Sequence, residues 1–412
     1  MEPKIRLKGC CGELKTSSLS QVATMHARIG WQNLRKDEFL PKGDYYLITG
    51  TNFVDGVIDY HSCYYVSEER YNQDKNIQLK EGSILITKDG TLGKVAYVDN
   101  LEKPATLNAG VFNVVCKMDI IDSRFLYQYL KSPRLMNYVN STATGGTIKH
   151  LNQNILVSFP VRFPENEEQK FIGTYFQQLD SLIQSTAKKI ESLKQVKAAS
   201  LQSMFPQEGE TTPRVRFKGF EGEWENKTLG ECLTINNERN QSNLYGINDV
   251  LSVSDEVGVV NQIKLLGRSY AGKSVANYRV LKTNQIVYTK SPLKSKPYGI
   301  VKVNKGAIGI VSVLYAVYDA NENVYPDYIH YYFEPTHRIN NYLLPLINKG
   351  AKNTMNISDE MALTGHVWIP SFEEQKKIAI YLQVLDNQII LQTQRLEKLK
   401  QIKSACLDNM FV

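Results

Sequence analysis

Along two stretches of the chain apolar side chains recur at alternating spacings of four and three residues. The first carries Ile172, Phe176, Leu179, Ile183, Ile190 and Leu193; the second carries Ile378, Leu382, Leu385, Ile389, Leu396 and Leu399. That spacing predicts two long helices, over residues 164–206 and 369–412, each with a coiled-coil seam. Both seams place a polar residue at the same step (Thr186 and Gln392) and a lysine further on (Lys197 and Lys403). Polar seam residues cost stability but penalise wrong registers, which suits helices that pair with each other rather than with themselves. Roughly 39 helical residues make a rod of about 58 Å, longer than one turn of B-DNA at about 34–36 Å. Antiparallel pairing of two such rods is expected to act as a spacer.

The remainder follows a shorter period. Residues 45–48, 57–60, 83–87, 94–98, 111–116, 285–289, 299–303 and 308–318 are β-branched or aromatic runs broken by Gly, Asn, Asp or Pro, and read as strands. A helix follows in each half, near residues 125–138 and 328–342. The expected fold class is therefore α+β: two strand-rich mixed domains, residues 1–163 and 207–368, joined by two long helices that form an antiparallel coiled coil.

The chain also repeats itself. Residues 164–205 align without a gap to 370–411. Glu167-Glu168-Gln169-Lys170 returns as Glu373-Glu374-Gln375-Lys376, Leu179-Asp180 as Leu385-Asp386, and Met204-Phe205 as Met410-Phe411. Upstream, Pro3, Arg6, Lys8-Gly9 and Gly12-Glu13 return as Pro213, Arg216, Lys218-Gly219 and Gly222-Glu223. Between these anchors the halves diverge almost completely, apart from a Thr-Lys turn after an apolar run at Thr87-Lys88 and Thr289-Lys290. An internal pseudo-two-fold organisation follows.

Charge narrows the function. The formal net charge is +7, a weak pointer to polyanions by itself, but its distribution says more. Residues 257–318 contain no Asp or Glu, and neither do residues 123–164. Solvated faces mix both signs, so these stretches read as phosphate-facing surfaces. Six cysteines (Cys10, Cys11, Cys63, Cys116, Cys232 and Cys406) form no C-x-x-C pair, which argues against zinc and for reduced thiols in a cytoplasmic protein. No apolar run is long enough to cross a membrane.

Three kinds of motif compete for attention. Gly267-Arg268-Ser269-Tyr270-Ala271-Gly272-Lys273-Ser274 matches the pattern of a nucleotide-binding P-loop, which makes a P-loop NTPase an alternative reading. That loop needs a buried strand before it and a helix after it, and the flanking residues supply neither pattern. Lys88-Asp89-Gly90-Thr91-Leu92-Gly93-Lys94 is a polar turn between apolar strands, suited either to entering a DNA groove or to a plain surface hairpin. The Gly-containing stretches around Lys149, at residues 144–150, and around Lys352 and Asn353, at residues 349–354, offer similar donors. Methyltransferase, nuclease and hydrolase signatures are missing from the sequence, so no catalytic residue and no metal ligand is expected.

The whole chain resembles the type I restriction-modification specificity subunits. The resemblance rests on Pro213-Arg214-Val215-Arg216-Phe217-Lys218-Gly219-Phe220 with Trp224, on Pro164 and Pro370 before the Glu-Gln-Lys helix starts, and on Thr87-Lys88-Asp89-Gly90-Thr91. It implies two target-recognition domains, each reading half of a bipartite asymmetric site in double-stranded DNA. It also implies helices that dock two modification subunits, with room for two restriction subunits. No cofactor belongs to this chain on that reading: S-adenosylmethionine, and ATP with Mg, serve the partners. Lys88, Thr91, Lys94 and Lys149 are then expected to line the DNA face of the first domain, and Lys273, Lys290, Lys294, Lys296, Lys302, Lys352 and Asn353 that of the second. A coiled-coil adaptor that binds only protein stays open beside it.

Overall fold

The computed structural model describes residues 3–6, 12–142, 151–272, 274–291, 293, 296–349 and 355–411. The chain divides into two compact units: residues 1–188 with 394–412, and residues 189–393. Each boundary falls inside a long helix. The central helix is Asn166–Ser203 and the C-terminal helix is Phe372–Asn409, so each unit holds one strand-rich domain and a segment of both helices.

In the first unit a four-stranded antiparallel sheet runs in the order Ala23–Ala27, Val111–Cys116, Ile84–Thr87, Val95–Tyr97. Ile84, Leu85 and Ile86 are all fully buried, because the sheet is covered on both faces. Ile84 and Ile86 meet Phe112, Phe125 and Leu130 on the side of helix Ser123–Lys131. Leu85 points the other way, to Ile48, Ala96 and Val111. A continuous apolar run is what a strand packed on both faces must show. A three-stranded sheet, Tyr64–Val66, Tyr45–Ile48 and Ala105–Leu107, completes that second core.

The second unit repeats this plan where the sequence does not. Its four-stranded sheet has the same order, Leu233–Ile235, Tyr315–Ala320, Ile286–Thr289, Val301–Val303. Ile286 and Tyr288 face the helical core and Val287 the opposite one. In each unit a two-stranded pair ties the start of the domain to its end: Lys15–Ser18 with Pro160–Phe163, and Glu225–Thr228 with His366–Ile369.

The repeated residues fasten the helices to the domains. Arg6 makes a two-pronged contact with Glu168 (2.8 and 2.7 Å) and donates to the Gly12 carbonyl. Arg216 does the same with Glu374 (2.7 and 2.8 Å) and the Gly222 carbonyl. The buried Gln169 carboxamide accepts from the Asp122 backbone N–H and donates to the Ile120 and Pro164 carbonyls. Gln375 accepts from Tyr325 N–H and donates to the Asn323 and Pro370 carbonyls. Buried carboxamides that fill both ends in this way hold a helix start in one orientation.

Within each unit the helix segments run antiparallel. In the first, Phe176 stacks on Phe411 and Asp180 is paired with Lys403. In the second, Lys197 bonds Asp386 at 2.6 Å and Ser200 meets Tyr381 at 3.4 Å. The seam lysines are thus the partners of the repeated aspartates. The seam is not uniform: Ile172, Phe176, Leu179, Ile190, Ile378, Leu382 and Leu385 are buried, whereas Ile183, Leu193, Ile389, Leu396 and Leu399 are half-buried. Ile172 and Phe176 belong to the core of the first domain, and Ile378, Leu382 and Leu385 to that of the second. Most of the buried seam residues are thus those laid against a domain, while Leu179 and Ile190 are buried outside both domain cores.

Candidate nucleic-acid interface

The Thr-Lys turns prove to be equivalent tips of the two four-stranded sheets. In the first unit Thr87 Oγ1 accepts from Lys94 N–H at 2.9 Å, and Thr87 N–H donates to the Lys94 carbonyl at 3.0 Å. In the second, Thr289 Oγ1 accepts from Ile300 N–H and Thr289 N–H donates to the Ile300 carbonyl, both at 3.0 Å. A glycine in the left-handed region precedes each closing residue, Gly93 at φ 70° and Gly299 at φ 89°. A Cβ on Gly299 would lie 1.8 Å from the Thr289 carbonyl oxygen, so only glycine closes that tip. The Thr that opens each tip and the left-handed Gly that closes it, not the Asp-Gly-Thr after Lys88, are the common signal; the tips between them, residues 88–93 and 290–299, differ in length and chemistry.

The first tip brings three expected residues together. Thr91 and Lys94 are exposed, and Lys88 is half-buried with its ammonium 5.5 Å from the Phe112 ring centroid. Neither lysine forms an ion pair among the described residues, so both keep their charge for a ligand. Lys149 lies outside the described residues, as do Lys273, Lys294, Lys352 and Asn353.

The second tip corrects part of the expectation. Lys296 and Lys302 do not stand on an open face: both side chains are 8% exposed and both reach Asp255, at 2.9 and 3.4 Å. Lys290 bonds Asp359 at 2.5 Å, and Arg279 bonds the same carboxylate at 2.5 Å. Burial pushes the Asp359 carboxyl up, and the hydrogen bonds from Lys290 and Arg279 more than reverse this, leaving it below its ordinary 3.8. Asp255 is lowered in the same manner, burial opposing and Lys296 and Lys302 prevailing. An acid-free run of sequence is here neutralised by acids from outside it, which no local charge count could reveal. His330, whose Nδ1 lies 3.0 Å from the Val301 carbonyl, is pushed down to about 3 by burial first and then by Lys302, so it stays neutral.

The P-loop alternative fails on geometry. Its glycine-rich stretch follows the helix Gln262–Leu266, which Gly267 ends at φ 76°, and leads into a turn before the strand Arg279–Leu281. A phosphate cradle needs the reverse order, strand before and helix after. Among the described residues no group of three or more His, Cys, Asp or Glu could hold a metal ion, and no helix is long and apolar enough to cross a membrane.

Comparison with known proteins agrees with this architecture. Residues 12–195 match the family model of the type I restriction modification DNA specificity domain. The MjaIX specificity subunit of a type I restriction enzyme from Methanocaldococcus jannaschii is 26% identical over 175 residues, 39% of this chain and 38% of that protein. The putative MjaX specificity subunit from the same organism is 23% identical over 378 residues, 86% of this chain and 83% of that one. The crystal structure of a type I restriction-modification system S subunit from M. genitalium superposes with a TM-score of 0.62 at 15% identity, covering 100% of this chain and 99% of that chain, and shares its fold. The alignment with the first of these relatives spans well under two thirds of that protein's length. The first half thus carries a match to the type I restriction modification DNA specificity domain, the second repeats the same sheet and helix plan, and along its length the chain is similar to specificity subunits of type I restriction enzymes.

Proposed function

We propose that this chain is the sequence-reading, non-catalytic subunit of a type I restriction-modification complex, each domain reading one half of a bipartite asymmetric DNA site. One observation carries the reading: a single sheet topology occurs twice and presents two tips of unlike length and chemistry. Repeating a scaffold while varying its tip is how one chain reads two different half-sites. Methyl transfer from S-adenosylmethionine, and ATP- and Mg-dependent work, then belong to partner subunits.

Selection from a random duplex library, with and without a co-expressed modification subunit, tests this directly. Enrichment of one split motif is expected, together with methylated adenines at that motif in host DNA. A Lys88→Ala, Lys94→Ala double variant should bind all duplexes more weakly and flatten the dependence of log K on log salt by about 2, since each phosphate contact contributes roughly 0.9. Binding that stays the same at several salt concentrations rules out that tip as a phosphate contact.

The helices support a protein partner as well. On the C-terminal helix Ile380 and Val384 are 43% and 47% exposed, one turn apart and off the buried seam. Phe372, Ile390, Leu391 and Ile402 of the same helix are exposed as well, and apolar side chains left in water in this way suit a docking face. Ile380→Glu with Val384→Glu should leave the melting temperature within a few degrees while abolishing co-purification of the modification subunit. Full co-purification places the docking face elsewhere.

A further inference from the structure

The stretch that imitates a P-loop is built for a different task. Asn261 caps the helix Gln262–Leu266 by accepting from the N–H groups of Ile263 and Lys264. The Gln262 carboxamide then braces the loop behind it: Oε1 accepts from Tyr270 N–H at 2.7 Å and from Ser269 Oγ at 3.1 Å, while Nε2 donates to Ser252 Oγ at 3.2 Å. From this braced loop Arg268 and Tyr270 both project into solvent, Tyr270 being 61% exposed. The guanidinium carbon lies 4.6 Å from the Tyr270 ring centroid.

Among the described residues Arg268 donates no hydrogen bond and forms no ion pair. Its guanidinium rests instead against the Tyr270 ring, within cation–π distance. A guanidinium fixed in this way has already lost much of its rotamer freedom and still offers a rigid fork of donors. Lys264 stands exposed four residues before it and forms no ion pair among the described residues, so a second cation shares this surface. A polyanion is the ligand that such a surface attracts. The fork matches the O6 and N7 acceptors of guanine in the major groove, the commonest specific contact that arginine makes with DNA.

Resting on the DNA-reading function above, we propose that Arg268, held flat by Tyr270, reads a guanine in the half-site of the second domain. Tyr270 is the positioning residue and Arg268 the reader. The assembled complex with its modification subunits is the material for the test, with methylated adenines mapped in host DNA and binding measured on single-substituted duplexes. Arg268→Ala should make one guanine position in one half of the motif degenerate, lowering discrimination there on the order of 10- to 100-fold, while the other half stays strict. Arg268→Lys keeps charge and stem but not the fork, so it should lose the same base preference and retain the salt dependence. Tyr270→Phe should behave as wild type, and Tyr270→Ala should relax the same position partially.

Variants whose motif stays strict at every position overturn the proposal, and so does a motif with no guanine in either half. Loss of the modification subunit with an unchanged motif would reassign the loop to a protein contact. A wild-type complex that yields no bipartite motif instead sinks the underlying reading, an outcome separate from the behaviour of Arg268.

Discussion

Phe411→Ala is expected to destabilise the first unit by about 3–5 kcal/mol, the range for an aromatic removed from a packed core. Phe411 is 2% exposed. It stacks on Phe176 and meets Phe125 and Tyr129 edge-on, with ring centroids 5.5–5.8 Å apart, while Arg134 donates to its carbonyl at 3.0 Å. The end of the chain thus completes the core of its first domain. Such a loss should be local, because Phe205 does the same work in the second unit, against Trp224, Tyr328 and Tyr332. Hydrogen exchange should accelerate along the helices Ser123–Lys131 and Pro133–Thr142 and remain unchanged along Pro326–Phe333 and Thr336–Leu343. Phe205→Ala should give the mirror result. Uniform acceleration in both units, or a loss under about 1 kcal/mol, refutes the assignment of Phe411 as the plug of the first core.

The periodicity of 172–193 and 378–399 was enough to place both helices, because a 3.5-residue repeat has few other physical solutions. The repeated Arg6/Arg216, Glu168/Glu374 and Gln169/Gln375 are visible as identities, yet their role as clasps is not, since the Arg–Glu pairs close over 162 and 158 residues and the glutamines reach back 47 to 52 residues to the preceding domain, separations that leave no local pattern. The shared sheet order was hidden for a related reason. Topology is preserved by burial on both faces of the strand, which Ile84-Leu85-Ile86 and Ile286-Val287-Tyr288 satisfy with different side chains. At the candidate interface, exposure decided what charge could not. Lys88 and Lys94 form no ion pair among the described residues, whereas Lys296 and Lys302 are consumed by Asp255, a residue just outside the acid-free run. The contact between Arg268 and the Tyr270 ring leaves no mark in the sequence, where the same residues fit only a P-loop pattern.

Asp359→Ala should cost the second unit about 3–5 kcal/mol, more than either lysine substitution at the first tip. Its carboxylate is 7% exposed and holds two cations, Arg279 at 8% and Lys290 at 20% exposure. Removing it leaves two like charges facing each other in a poorly solvated place. Arg279 already has Nε and Nη1 buried without partners among the described residues, so it has no second acceptor to fall back on. The pH dependence provides an independent check. Because the folded carboxyl lies below its ordinary 3.8, its contribution is fully present above that value and fades as pH falls through the lower, folded one. The gap between wild type and Asp359→Ala in urea unfolding should therefore be constant from pH 7 down to about 4 and narrow below it. A gap that persists undiminished at pH 2 to 3 would show that Asp359 acts through packing rather than charge. A gap near zero at pH 7 would show that the two cations never needed it.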